Sequence, residues 1–210
     1  MILPVSIMQK IHILMHDKEI RTVLLQYLHE KYHNDSNTLI IEEFGVCQGN
    51  ARVDIVVING IMHGYEIKSE KDSLRRLPGQ KSIYNEVFDY VTIVASTSHF
   101  PKIIKQVPEW WGLREVQCIG KNIKLVKKRT CKKNKLVNSQ ALVQLLWREE
   151  AFEILKRRDI HQGLSGKPRH QLWARITELL TLEELSNEVR KKIKRREYWR
   201  SERKQGLDDD

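Results

Sequence analysis

Between Thr38 and Lys68 the chain passes through three segments rich in β-branched and aromatic residues, with only Gln48-Gly49-Asn50 and Asn59-Gly60 between them. Connections this short cannot carry a crossover. The segments Thr38–Cys47, Arg52–Ile58 and Met62–Lys68 are therefore expected to pair as an antiparallel meander. A meander of this size needs cover for its apolar faces, and the flanking sequence supplies helices. Ile20, Val23, Leu24, Tyr27 and Leu28 recur at helical spacing behind Asp17, which predicts an amphipathic helix from an Asp17 N-cap to about His33. Pro78-Gly79 opens a second helix through Phe88, and the apolar run Tyr90–Ala95 reads as a buried strand. The expected fold is α/β: helix, three-stranded meander, helix, strand.

Farther along, Pro101–Val107 reads as a short helix, and Val116–Ile119 with Ile123–Val126 as a hairpin about Gly120. A Lys-rich stretch, Lys127–Lys135, is expected to be a linker. Beyond it Ser139–Arg158, Pro168–Leu180 and Leu182–Tyr198 carry helical patterns, the last opened by Thr181 and Glu184 at capping-box spacing. The expected organisation is a lead-in over 1–16, the α/β unit over 17–126, the linker over 127–135, an all-helical basic extension over 136–200 and a frayed tail over 201–210. The apolar lead-in is broken by Pro4, Lys10 and His12 and has neither a basic start nor a cleavage site, so it is not expected to be a signal peptide.

Charge divides the chain. Residues 1–120 hold 13 Lys and Arg against 14 Asp and Glu, whereas residues 121–210 hold 24 against 13. A polyanion suits so basic a half, because neutralised phosphates release condensed counterions. Cys47, Cys118 and Cys131 form no metal-gripping or redox pair, and a cytoplasmic setting without membrane contact is expected. A homo-oligomer or protein partner through the C-terminal helices is a further expectation.

The chemistry lies in the meander. Glu66 and Lys68 are two apart on one strand and share a face. Asp54 interrupts an otherwise apolar strand, where an unpaired charge is costly. If the strands are neighbours, Asp54 and Glu66 converge, and two close carboxylates suit a hard cation such as Mg²⁺ or Mn²⁺. Lys68 is then placed to orient a water or to neutralise charge on a phosphate.

The pattern Asp54, then Glu66-Ile67-Lys68, resembles the PD-(D/E)xK nuclease superfamily, with Val53 where that family carries proline. Gln80-Lys81-Ser82-Ile83-Tyr84 is similar to the Q-x-x-x-Y motif of its RecB-like branch, and the stretch Arg52–Ser69 with Leu146-Trp147-Arg148-Glu149 resembles a bacterial and phage branch. The resemblance implies a restriction-endonuclease-like core and a metal-dependent nuclease, with DNA as the favoured nucleic acid. It implies catalytic roles for Asp54, Glu66, Lys68, Gln80 and Tyr84, and metal binding by Asp54 and Glu66. Glu43 and Glu19 are further ligand candidates by their positions. Because Glu42 and Glu43 are adjacent, only one of them is expected to face the site. Lys71, Arg75 and Arg76 follow the active strand and are candidate phosphate contacts.

Two other readings compete. One is a nucleic-acid-binding module that keeps the fold without turnover. The other is a zinc metalloprotease, from the H-E-x-x-H match His29-Glu30-Lys31-Tyr32-His33, which has no third ligand at helical spacing. Trp110, Trp111, Trp147, Trp173 and Trp199 read as core or interface aromatics rather than base-stacking platforms.

Overall fold

The computed structural model describes residues 16–119 and 122–208. Met1–Met15, Gly120, Lys121 and the final two residues lie outside them, and with these most of the expected lead-in and the tip of the expected hairpin. The described elements are α1 (Asp17–Tyr32), β1 (Leu39–Val46), β2 (Ala51–Ile58), β3 (Met62–Lys68), α2 (Leu77–Val87), β4 (Tyr90–Ser96), α3 (Phe100–Gln106), β5 (Gly112–Ile119), β6 (Asn122–Arg129), α4 (Ser139–Leu142), α5 (Arg148–Lys156), α6 (Arg169–Leu179) and α7 (Leu182–Asp208). The six strands form one mixed sheet in sequence order. β1, β2 and β3 pair antiparallel, β3, β4 and β5 parallel, and β5 and β6 antiparallel.

Each connection has a local cause. Gly60 takes φ +100° in the β2–β3 turn, a conformation that costs a side-chain-bearing residue energy. Gly64 on β3 lies against Phe88, whose ring would stand 3.1 Å from an added Cβ. The glycine thus lets the end of α2 approach the sheet closely.

The sheet is covered on both faces. Ile20, Leu24 and Leu28 of α1 pack with Ile55, Val57, Tyr65, Ile67, Val94 and Val116 on one side. On the other, Val56, Met62, Val91 and Ile93 join a larger cluster with Leu77 and Tyr84 of α2. The same cluster takes in Leu142, Ile154, Leu172, Val189 and Ile193 from the C-terminal helices. Residues 136–200 therefore share the core of the α/β unit and do not build one of their own.

Several boundaries differ from expectation. His16, not Asp17, caps α1, because Glu19 accepts the His16 backbone N–H at 2.7 Å. β6 runs to Arg129 and takes the first three residues of the expected linker. The expected helix Ser139–Arg158 breaks at Leu146 and Trp147, which are extended, and restarts where Glu150 accepts the Trp147 N–H at 2.8 Å. α7 continues past Tyr198 to Asp208, through most of the expected tail.

The basic half is not one free cationic surface. Arg157 pairs with Glu188, Lys192 and Arg195 with Glu153, Arg196 with Glu150 and Arg190 with Asp89. Trp111 and Trp173 are buried, and Trp147 is half exposed beneath the Arg196 guanidinium. Trp199 falls outside the described side chains. Among the described residues no helix is long and apolar enough to cross a membrane.

Candidate functional site

The β2–β3 ladder runs from Ile58 opposite Met62 to Ile55 opposite Tyr65 and then stops. One step further in the same register Asp54 faces Glu66. β3 goes on to Lys68 because β4 holds it from the other side, with Glu66 opposite Ile93 and Lys68 opposite Ala95. Side chains take over where the ladder ends. The Ile67 N–H donates to Asp54 Oδ2 at 2.7 Å, and the Tyr84 hydroxyl lies 2.8 Å from both the Arg52 carbonyl and Glu66 Oε2. Its single proton serves one of these acceptors at a time. The gap between the strands thus leaves few backbone groups unmet, as buried backbone requires.

Glu66 and Lys68 form a buried ion pair at 2.6 Å, with side chains 3% and 5% exposed. Gln80 completes a triangle, donating from Nε2 to Glu66 Oε1 at 2.6 Å and accepting from Lys68 Nζ at 3.1 Å. Gln80 and Tyr84 reach this point together because they stand one turn apart on the face of α2 that meets the sheet. Isolated burial of either charge would be prohibitive, and the pair persists because each is hydrogen-bonded as well as ion-paired.

Burial and the nearby charge of Glu66 push the Asp54 carboxyl up to about 6, against the pull of the Ile67 N–H and of Arg21. Burial and the same Glu66 raise Tyr84 well above the usual phenol range, so it stays protonated. The Asp54 carboxylate accepts two hydrogen bonds, from the Arg21 guanidinium and the Ile67 N–H, and that of Glu66 at most three. A carboxylate offers about four acceptor positions, so both keep lone pairs for a hard cation that takes water in its other positions. Two carboxylates are what the site offers: among the described residues no group of three or more His, Cys, Asp or Glu side chains is assembled as a metal site.

Glu66, Lys68, Gln80 and Tyr84 are thus brought into one bonded cluster, and Asp54 stands beside it, opposite Glu66 in register and bonded to Arg21 and the Ile67 N–H. Glu43 stands one guanidinium away, paired with Arg21 at 2.8 Å and Arg52 at 2.6 Å. Glu42 also approaches Arg21, at 3.8 Å. Glu43 is left-handed at φ +53°, which breaks the strand alternation between these two neighbours. Glu19 does not join, because its carboxylate caps α1. Lys71 Nζ lies 3.5 Å from His16 Nε2 at the start of α1, whereas Arg75 and Arg76 line a cleft beside Gln80. His29 and His33 are exposed on the last turn of α1 and its C-cap, and the His33 ring contacts the Glu30 carbonyl at 2.7 Å.

Arg21 is the site residue that sequence reasoning missed. It donates to Asp54 Oδ1 at 2.8 Å and to the Asp54 carbonyl at 3.1 Å. The available signal was its place on α1: position 21 lies on the same stripe as the buried Leu24 and Leu28, where an arginine needs an acidic partner.

The profile of the family described as Bacteriophage P4 protein cII matches residues 12–208. Protein cII of Enterobacteria phage P4 is 34% identical over 128 residues, which are 59% of this chain and 48% of that protein. The chain thus spans about half the length of this relative. Among solved structures, a protein of unknown function from Silicibacter pomeroyi aligns with a TM-score of 0.39 at 20% identity, covering 71% of this chain and 94% of that one.

Proposed function

This chain belongs to the Bacteriophage P4 protein cII family, and from that footing we propose that it is a divalent-metal-dependent nuclease of the PD-(D/E)xK type, hydrolysing phosphodiester bonds of DNA in the cytoplasm. The observation that carries the reading is the convergence of Asp54, Glu66 and Lys68, with Gln80 and Tyr84, at the point where β2 and β3 part. The order α1, β1–β2–β3, α2, β4 supports the finer assignment to a restriction-endonuclease-like core. The phage setting comes only from the family to which the chain belongs.

Asp54 and Glu66 would hold a Mg²⁺ or Mn²⁺ ion, which would lower the pKa of a water and offset charge on the phosphate. Hydrolysis joins a water oxygen to phosphorus and breaks one P–O ester bond, with a proton passing to the leaving oxygen. Lys68, held by Glu66 and Gln80, presents an ammonium to the attacking water or to the non-bridging phosphate oxygens. Gln80 keeps that ammonium in place. Tyr84 remains neutral and donates its one proton either to Glu66 or to the Arg52 carbonyl. Arg21 keeps Asp54 turned toward the Ile67 N–H.

The test is Mg²⁺- and Mn²⁺-dependent cleavage of plasmid, linear and single-stranded DNA and of RNA, beside Lys68→Ala and Asp54→Ala. Cleavage that disappears in both variants supports the reading, and cleavage unchanged in either refutes it. A second reading, a nucleic-acid-binding module without turnover, is favoured by one observation: Arg21 already neutralises Asp54. Metal-independent binding with no cleavage of any substrate would select it.

A further inference from the structure

A cleft of about 630 Å³ opens beside the cluster, between the β1–β2 turn and the entry to α2. Arg52, Arg75 and Arg76 line it, and no acidic residue does. Arg75 and Arg76 are exposed and have no carboxylate partner among the described residues. Bare backbone forms much of the walls. An added Cβ at Gly45, Gly49 or Gly79 would meet nothing within 4 Å, so a phosphate can approach peptide N–H groups there. Gln80 lies in the lining and also bonds Glu66 and Lys68, which joins the cleft to the site.

Reach decides what can enter. A duplex is stiff and carries its phosphodiesters on the outside of the helix. A single strand has about half the bulk and can bend its backbone into the opening. Glu66 and Lys68 are buried behind Gln80, so a phosphodiester kept on the outside of a rigid duplex would not reach them.

We infer that this cleft binds a single strand of nucleic acid, with its phosphates on Arg75 and Arg76, and leads one phosphodiester past Gln80. The delivery of that phosphodiester to Glu66 and Lys68 rests on the nuclease reading; the strand binding does not.

The experiment is fluorescence anisotropy on the full chain in EDTA, with labelled single-stranded DNA and RNA of about a dozen nucleotides and the blunt DNA duplex. One or both single strands bind roughly tenfold or more tighter than the duplex, and the two arms tell DNA from RNA. The Arg75→Ala, Arg76→Ala double variant flattens the plot of log affinity against log salt by about 1.4, at about 0.7 per lost phosphate contact. Gly79→Trp fills the cleft without changing charge and weakens strand binding by roughly tenfold, whereas Gly79→Ala leaves it unchanged. Equal or tighter duplex binding, or a salt slope unmoved in the double variant, overturns the inference. Strand binding without cleavage under Mg²⁺ or Mn²⁺ fails the nuclease reading and leaves the cleft standing. Cleavage accompanied by duplex preference fails the cleft alone.

Discussion

Arg21 on α1 grips Asp54 on β2 twice, through Oδ1 at 2.8 Å and through the main-chain carbonyl at 3.1 Å. The guanidinium also meets Asp17 at 3.1 Å, Glu43 at 2.8 Å and Glu42 at 3.8 Å, so one cation is shared among four carboxylates. Arg21→Met keeps the side chain's length and removes its charge. Asp54 should then titrate higher still, and the acidic limb of the cleavage pH profile should move toward alkaline pH with activity recovering at high pH. Stability should fall by on the order of 3 kcal/mol, the cost of leaving a largely buried charge unpaired. A lower rate at every pH with an unmoved profile would show that Arg21 is only structural.

Proton and metal should compete at Asp54. Its carboxyl is raised to about 6, mainly by burial and then by Glu66, so in the metal-free protein it contributes stability fully below about 4 and loses it as pH rises through about 6. A bound cation needs the ionised form, and its affinity should fall about tenfold per pH unit below 6. Calorimetric titration with Mn²⁺ between pH 5 and 8 checks this. At about 100 times Kd, Mn²⁺ at pH 7.5 should stabilise the fold by about 2.7 kcal/mol. Asp54→Asn should show no Mn²⁺-induced rise in Tm; a rise equal to the parent's would place the ion elsewhere.

The pair Glu66 and Lys68 should behave as one unit. Lys68→Met strands a carboxylate that is 3% exposed, with an expected loss of about 3–5 kcal/mol and of on the order of 10²–10³ in cleavage rate. The double variant Glu66→Gln, Lys68→Met should recover most of the stability and none of the activity. Urea denaturation measures the first outcome. Additive losses in the double variant would show that the two side chains do not depend on each other.

His63 should make the fold acid-sensitive by a route separate from the site. Burial, with the charges of Lys31 and Arg114 behind it, lowers its imidazole to about 3, and the neutral ring bonds Thr92 Oγ1 at 2.9 Å. A group depressed on folding contributes stability that is present above its unfolded value near 6.5 and lost as pH falls toward 3. Between pH 6.5 and 4.5 the loss should be about 2–3 kcal/mol, opposing the gain from Asp54. His63→Gln should remove this slope in denaturation curves taken across that range. A slope that persists in the variant would assign the acid sensitivity to other groups.

What the sequence determined by itself is what depends on short-range periodicity. Turns too short for a crossover made β1, β2 and β3 an antiparallel meander. Period two put Glu66 and Lys68 on one face, and one helical turn put Gln80 beside Tyr84. Tertiary structure alone decided the rest. Arg21 meets Asp54 across 33 residues of chain, and the ladder opens at Asp54 because Ile67 finds a side-chain acceptor there. Glu43 turns left-handed between two arginines, and the C-terminal helices share the sheet's core and neutralise part of their charge against one another. Local spacing cannot encode these, since an arginine's partner or a strand's splay is chosen by whichever groups packing brings within hydrogen-bond reach.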